Sequence, residues 1–78
     1  MTTEEFNNKY KKFLEPKFCG LTIEDSDIIN LCDKYFKQWT KVQGFHYYQI
    51  KNKFNTARVY CDNVNVNDLE NEINMLLK

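Results

Sequence analysis

Apolar residues recur along this chain at two spacings, and the change of spacing divides it into four segments. Phe6, Tyr10, Phe13 and Leu14 fall at i, i+4, i+7 and i+8, one face of a helix, which predicts a first helix over about 4–14. Thr2-Thr3-Glu4-Glu5 has the spacing of a capping box, with Thr2 as N-cap and Glu5 reaching back. Pro16 pushes Glu15 out of the helical region and ends the segment. Ile28, Leu31, Cys32, Tyr35 and Trp39 repeat the helical period, widened by Ile29 and Phe36. They predict a central core helix over about 26–40, capped by Asp25 or Ser26. Leu69, Ile73, Leu76 and Leu77 mark a last helix over about 66–77, capped by Asn65 or Asn67.

Between the second and third helices the pattern changes to aromatic-rich, alternating runs. These predict strands over 45–54 and 57–62, joined by a two-residue turn at Asn55-Thr56. The expected fold is therefore α+β: two N-terminal helices, an antiparallel hairpin and a C-terminal helix, in one domain over 1–78. The segment "CGL" at 19–21 is expected to be a connector, with Gly20 free to take a positive φ.

A turn at Asn55-Thr56 places Phe54 opposite Ala57, and opposed residues share a face. Ile50, Asn52, Phe54, Ala57, Val59 and Cys61 then point to the helices. Tyr47, Gln49, Lys51, Lys53, Arg58 and Tyr60 form the other face, with Lys53 opposite Arg58. Like charges in that position destabilise a sheet, so they call for an anion. An internal carboxylate such as Asp62 or a helix glutamate would serve, as would a ligand phosphate or an acidic partner. Arg58 is the only arginine of the chain, and arginine suits a bidentate phosphate or carboxylate contact better than lysine. Tyr47 and Tyr60 would stack on a base. An antiparallel sheet with one wet face shows the same alternation with no ligand at all.

Composition narrows the chemistry further. The formal net charge is zero, which disfavours a general nucleic-acid contact module. Three cysteines, Cys19, Cys32 and Cys61, are odd in number and widely spaced, and His46 is the only histidine. That set predicts reduced, buried thiols, no metal site and no cofactor. The chain has only two glycines, so neither a P-loop nor a dinucleotide fingerprint is present, and an enzyme is not expected. The opening "MTTEEFNNKY" has no apolar core and no apolar run reaches ~18 residues, which predicts no secretory leader, no membrane association and a cytoplasmic setting.

The stretch "QIKNKFNTARVY" resembles the Q-(I/V)-K-E-K-F-G-x-L-R-F-Y segment of a family of small, mostly uncharacterised phage and bacterial proteins. Gln49, Ile50, Lys51, Lys53, Phe54, Arg58 and Tyr60 match, and "FCGLTIEDSDIINLCDKYF" resembles the family's helical lead-in. Asn52 stands for Glu, Asn55 for Gly, Ala57 for Leu and Val59 for Phe. Asn55 keeps the tolerance of positive φ, whereas Asn52 removes a carboxylate beside the cations. The resemblance implies a phage-like setting, in the host cytoplasm, and makes Gln49, Lys51, Lys53, Arg58 and Tyr60 part of a shared pattern. The function expected from these features is capture of an anionic, nucleotide-like molecule without turnover, as a counter-defence sponge. An oligomer interface would complete so shallow a pocket. The alternative is an inhibitor or adaptor whose basic-aromatic face meets a host defence protein.

Overall fold

A computed structural model describes residues 1–77 of the chain. Its elements are α1 (Thr3–Lys9), a 3-10 turn (Lys11–Phe13), β1 (Gly20–Leu21), α2 (Ser26–Trp39), β2 (His46–Lys53), β3 (Thr56–Asp62) and α3 (Asn67–Leu77). The fold is α+β, with three helices and a three-stranded mixed sheet of order β1-β2-β3.

The helix starts follow local chemistry. The Thr2 hydroxyl accepts from the Glu5 amide at 3.1 Å, and the Glu5 carboxylate accepts from the Thr2 amide at 2.9 Å. Asp25 caps α2 by accepting from the amides of Asp27 and Ile28. The Asn65 side chain accepts from the Asn67 amide at the start of α3. The expectation of a first helix reaching residue 14 is corrected, because α1 stops at Lys9. Tyr10 leaves the helical region, and the chain tightens into the 3-10 turn. Leu14 then bridges to Tyr47, and the Glu15 amide donates to the Tyr47 carbonyl at 3.0 Å. The gain in sheet contact ends the helix before Pro16 does.

The "CGL" connector contains a strand. Gly20 and Leu21 pair in parallel with Gln49 and Ile50. The outer edge of β1 is closed by Asn7 of α1, whose amide oxygen accepts from the Leu21 amide at 3.0 Å while its nitrogen donates to the Leu21 carbonyl at 2.9 Å. Gly20 adopts φ +70°, and a Cβ built there would lie 2.7 Å from the Asn7 oxygen. The far edge of the sheet is closed in the same manner. Ala57 and Val59 amides donate to the side chains of Asn74 (2.7 Å) and Glu70 (2.8 Å), one turn apart on α3. Both edges are thus held by helix side chains, which removes the free amides that strand-to-strand aggregation needs.

The hairpin turns one residue earlier than expected, at Phe54-Asn55, with φ of +53° and +60°. A type I′ turn needs positive φ at both central residues. Thr56 is β-branched and resists that conformation, so it joins β3 opposite Lys53. Phe54 takes the strained position instead, at a cost of about 1–2 kcal/mol. The expected inward position of Phe54 is corrected too, since it is 90% exposed at the tip; Asn52 lies opposite the buried Ala57, on the expected face, but is exposed at its rim. Ile50, Ala57 and Val59 are buried as the alternation requires, and Cys61 is half-buried.

Phe36 of α2 is the centre of the core. Its ring lies 4.9 Å from Phe6, 5.0 Å from Tyr10, 5.2 Å from Phe45 and 5.0 Å from Tyr47, each close to edge-on. Such pairs add roughly 0.5–1.5 kcal/mol beyond area burial, which suits a chain too short for a deep aliphatic core. The buried charge, Asp33, is met by Lys9 at 2.8 Å, Lys37 at 3.4 Å and the Tyr10 hydroxyl. Burial alone would raise the Asp33 carboxyl, and the hydrogen bonds from Lys9, Tyr10 and Lys37 outweigh it, holding the group below the usual carboxylate range.

Candidate functional site

The outer face of the sheet, turned away from the helices, gathers five of the six residues expected there. Gln49, Lys51 and Lys53 come from β2, and Arg58 and Tyr60 from β3. Gln49 lies opposite Tyr60, and Lys51 lies opposite Arg58. The opposed cations are therefore Lys51 and Arg58, whereas Lys53 faces Thr56. Moving the turn by one residue moved each partner by two, which preserves the face.

Tyr47 is the exception. A bulge between Tyr47 and Gln49 leaves Tyr48 as an extra residue in β2. Beyond it the alternation reverses, so Tyr47 points inward, is 0% exposed and packs on Phe36 and Phe6. Burial raises its phenol pKa to about 12. Tyr47 is a core residue, and its expected place on the outer face is corrected in favour of Tyr48. The earlier turn and the bulge together move Asp62, which pairs with His46 instead of the expected Gln49.

Tyr48 brings new neighbours to the face. Its ring stands 5.0 Å from Phe18 at 80°, an edge-to-face contact. Its hydroxyl donates to the Asp62 carboxylate, and that bond raises the phenol pKa to about 12. Phe18, Tyr48, Gln49, Lys51 and Tyr60 line an open recess of about 270 Å³. The Lys51 ammonium lies 5.9 Å from the centre of the Tyr60 ring, within cation–π range. Neither Phe18 nor Tyr48 was singled out by the alternation. Phe18 sits in a connector with no period, and in "HYY" a regular strand sends only one tyrosine outward.

The charges of the face have no ion-pair partner among the described residues. Among the described residues the ion pairs converge on Asp33, and no carboxylate lies within 4.0 Å of Lys51, Lys53 or Arg58. Asp62, the expected internal anion, accepts from the Tyr48 hydroxyl and forms no ion pair with any of the three cations. The recess therefore adjoins two opposed cations with no ion-pair partner among the described residues.

Burial raises the Cys32 and Cys61 thiols to about 12, far from thiolate character. Cys19 is exposed. His46 Nδ1 is engaged by the Gly44 carbonyl oxygen at 3.1 Å. Among the described residues, no group of three or more His, Cys, Asp or Glu side chains is placed to hold a metal ion, and no helix is long and apolar enough to cross a membrane.

Comparison with protein-family models, with curated proteins and with solved structures found no match to this chain.

Proposed function

We propose that the outer sheet face binds a small anionic ligand carrying an aromatic ring, of the nucleotide type, and holds it without turnover. The observation that carries this reading is the Lys51–Arg58 pair, opposed on the sheet with no carboxylate within 4.0 Å among the described residues, beside an aromatic recess. A phosphate over the pair would remove the repulsion, and the Arg58 fork suits its geometry. A base would lie against Phe18, Tyr48 and Tyr60, with the Gln49 amide able to donate to and accept from its edge. At about 270 Å³ the recess admits the ring and leaves sugar and phosphate lying across the strands. Together with the resemblance of residues 49–60 to phage proteins, this reading extends to sequestration of a nucleotide signal in the host cytoplasm.

A second reading is an inhibitor or adaptor that lays this face on an acidic patch of a host protein. It is favoured by Phe18 and Tyr60, 50% and 46% exposed beside Arg58, since aromatic residues and arginine are common interface anchors.

The test is calorimetry and thermal shift with mononucleotides, cyclic dinucleotides and ADP-ribose. A ligand at about 100 times its Kd raises stability by about 2.7 kcal/mol. Arg58→Ala should weaken binding at least about tenfold while leaving the free protein as stable as wild type or slightly more so, because it removes a like-charge pair. No shift with any of these ligands would refute the first reading. Loss of fold in Arg58→Ala would show the arginine to be structural.

A further inference from the structure

The hairpin tip is built against its own turn chemistry. Type I′ turns favour Asn, Asp or Gly at both central positions, yet this one holds Phe54 at φ +53° with 90% of the residue in solvent. Among the described residues little covers the ring, and the Lys53 ammonium lies 5.9 Å from its centre.

At the same end of the molecule lies an apolar groove. Leu31 of α2 and Met75 and Leu76 of α3 line a cleft of about 480 Å³, rimmed by Asp27, Glu72 and Lys34. Met75 and Leu76 are 72% and 52% exposed. Met75 also lines a second recess with Asn55 and Thr56, so the groove and the hairpin turn are neighbours. Phe54 does not line the groove of its own chain. The tip is apolar and cationic, while carboxylates outnumber the lysine at the groove's rim.

We propose that two copies of this chain dock reciprocally, each placing Phe54 in the α2–α3 groove of the other. A twofold contact makes both insertions at once and closes on itself. It brings Lys53 of each copy to the Asp27 and Glu72 rim of the other. Of the outer basic face this contact uses Lys53 alone, while the opposed Lys51–Arg58 pair and the aromatic recess stay free, so the interface stands independently of the ligand reading. The contact is small relative to the roughly 1,600 Å² of a standard interface, so the dimer is in exchange with monomer.

Sedimentation velocity from about 10 µM to about 1 mM tests it. Wild type should pass from monomer to dimer and go no further. Phe54→Gly, which removes the knob, and Met75→Lys, which sets a cation against Lys53 in the groove, should each raise the dimer Kd about tenfold or more. An equimolar mixture of the two variants should associate more tightly than either alone, because one intact knob then meets one intact groove. Both side chains are exposed, so both variants keep the fold, and a cooperative unfolding transition verifies it. A wild type that stays monomeric, a dimer that survives Phe54→Gly, growth beyond dimer, or a mixture no tighter than its components would each overturn the proposal.

Discussion

Replacing Tyr47 and Tyr48 in turn tests the bulge on which the site depends. The two residues are adjacent and chemically identical, and the structure gives them opposite fates. Tyr47 has no exposed surface and its ring meets Phe36 at 5.0 Å and Phe6 at 6.2 Å. Truncating a buried aromatic to alanine costs about 3–5 kcal/mol. A chain of 78 residues has a total stability of about 4–12 kcal/mol. Tyr47→Ala should therefore consume about a quarter or more of it and bring the protein toward unfolding. Tyr48 touches Phe18 and Asp62 on the outer face of the central strand, outside the core cluster. Tyr48→Ala should leave the unfolding midpoint close to wild type and remove ligand affinity. Urea denaturation followed by Trp39 fluorescence reads both, since Trp39 lies against Phe36 and Phe45. Regular alternation without the bulge demands the reverse order. If Tyr48→Ala is the destabilising variant and Tyr47→Ala the silent one, the bulge, the recess and the site built on it are wrong.

Other expectations follow from single contacts. Gly20→Ala should cost about 2–5 kcal/mol, from a left-handed alanine and two displaced Asn7 hydrogen bonds. In an Asn7→Ala background the same change should cost only the backbone share, about 1–2 kcal/mol, and equal costs in the two backgrounds would disprove the coupling. Asp33 predicts a pH dependence. Its folded carboxyl lies below its unfolded value, so its contribution is present above the unfolded pKa of about 3.9 and is lost as pH falls through the folded one. Asp33→Asn should flatten that part of the acid limb in a series of denaturant midpoints, and an unchanged limb would assign it to other carboxylates.

Much of the scaffold was legible because its causes are local. The Thr2 capping box, the Asp25 cap and the apolar stripes of α2 and α3 act within one or two turns, so spacing alone reveals them. The face shared by Gln49, Lys51, Lys53, Arg58 and Tyr60 was legible for a related reason: an error of one residue in the turn shifts strand partners by two and keeps the side. The turn itself was misplaced because Asn55 attracts a turn wherever it sits, and the resistance of Thr56 to positive φ decided which neighbour it took. Tyr47 and Tyr48 were exchanged because alternation assumes an unbroken strand.

The sequence by itself determined the helix starts, the hairpin and a cationic face, since these depend on residues a few positions apart. Only the tertiary structure decided β1, the bulge, the arrival of Phe18 beside Tyr48 and the closing of both sheet edges by Asn7, Glu70 and Asn74. A two-residue parallel strand has no period to read, and its partners lie 29 positions along the chain. Which tyrosine enters the core is settled by the space that Phe36 and Phe6 leave, and that space exists only once α1 and α2 have packed on the sheet.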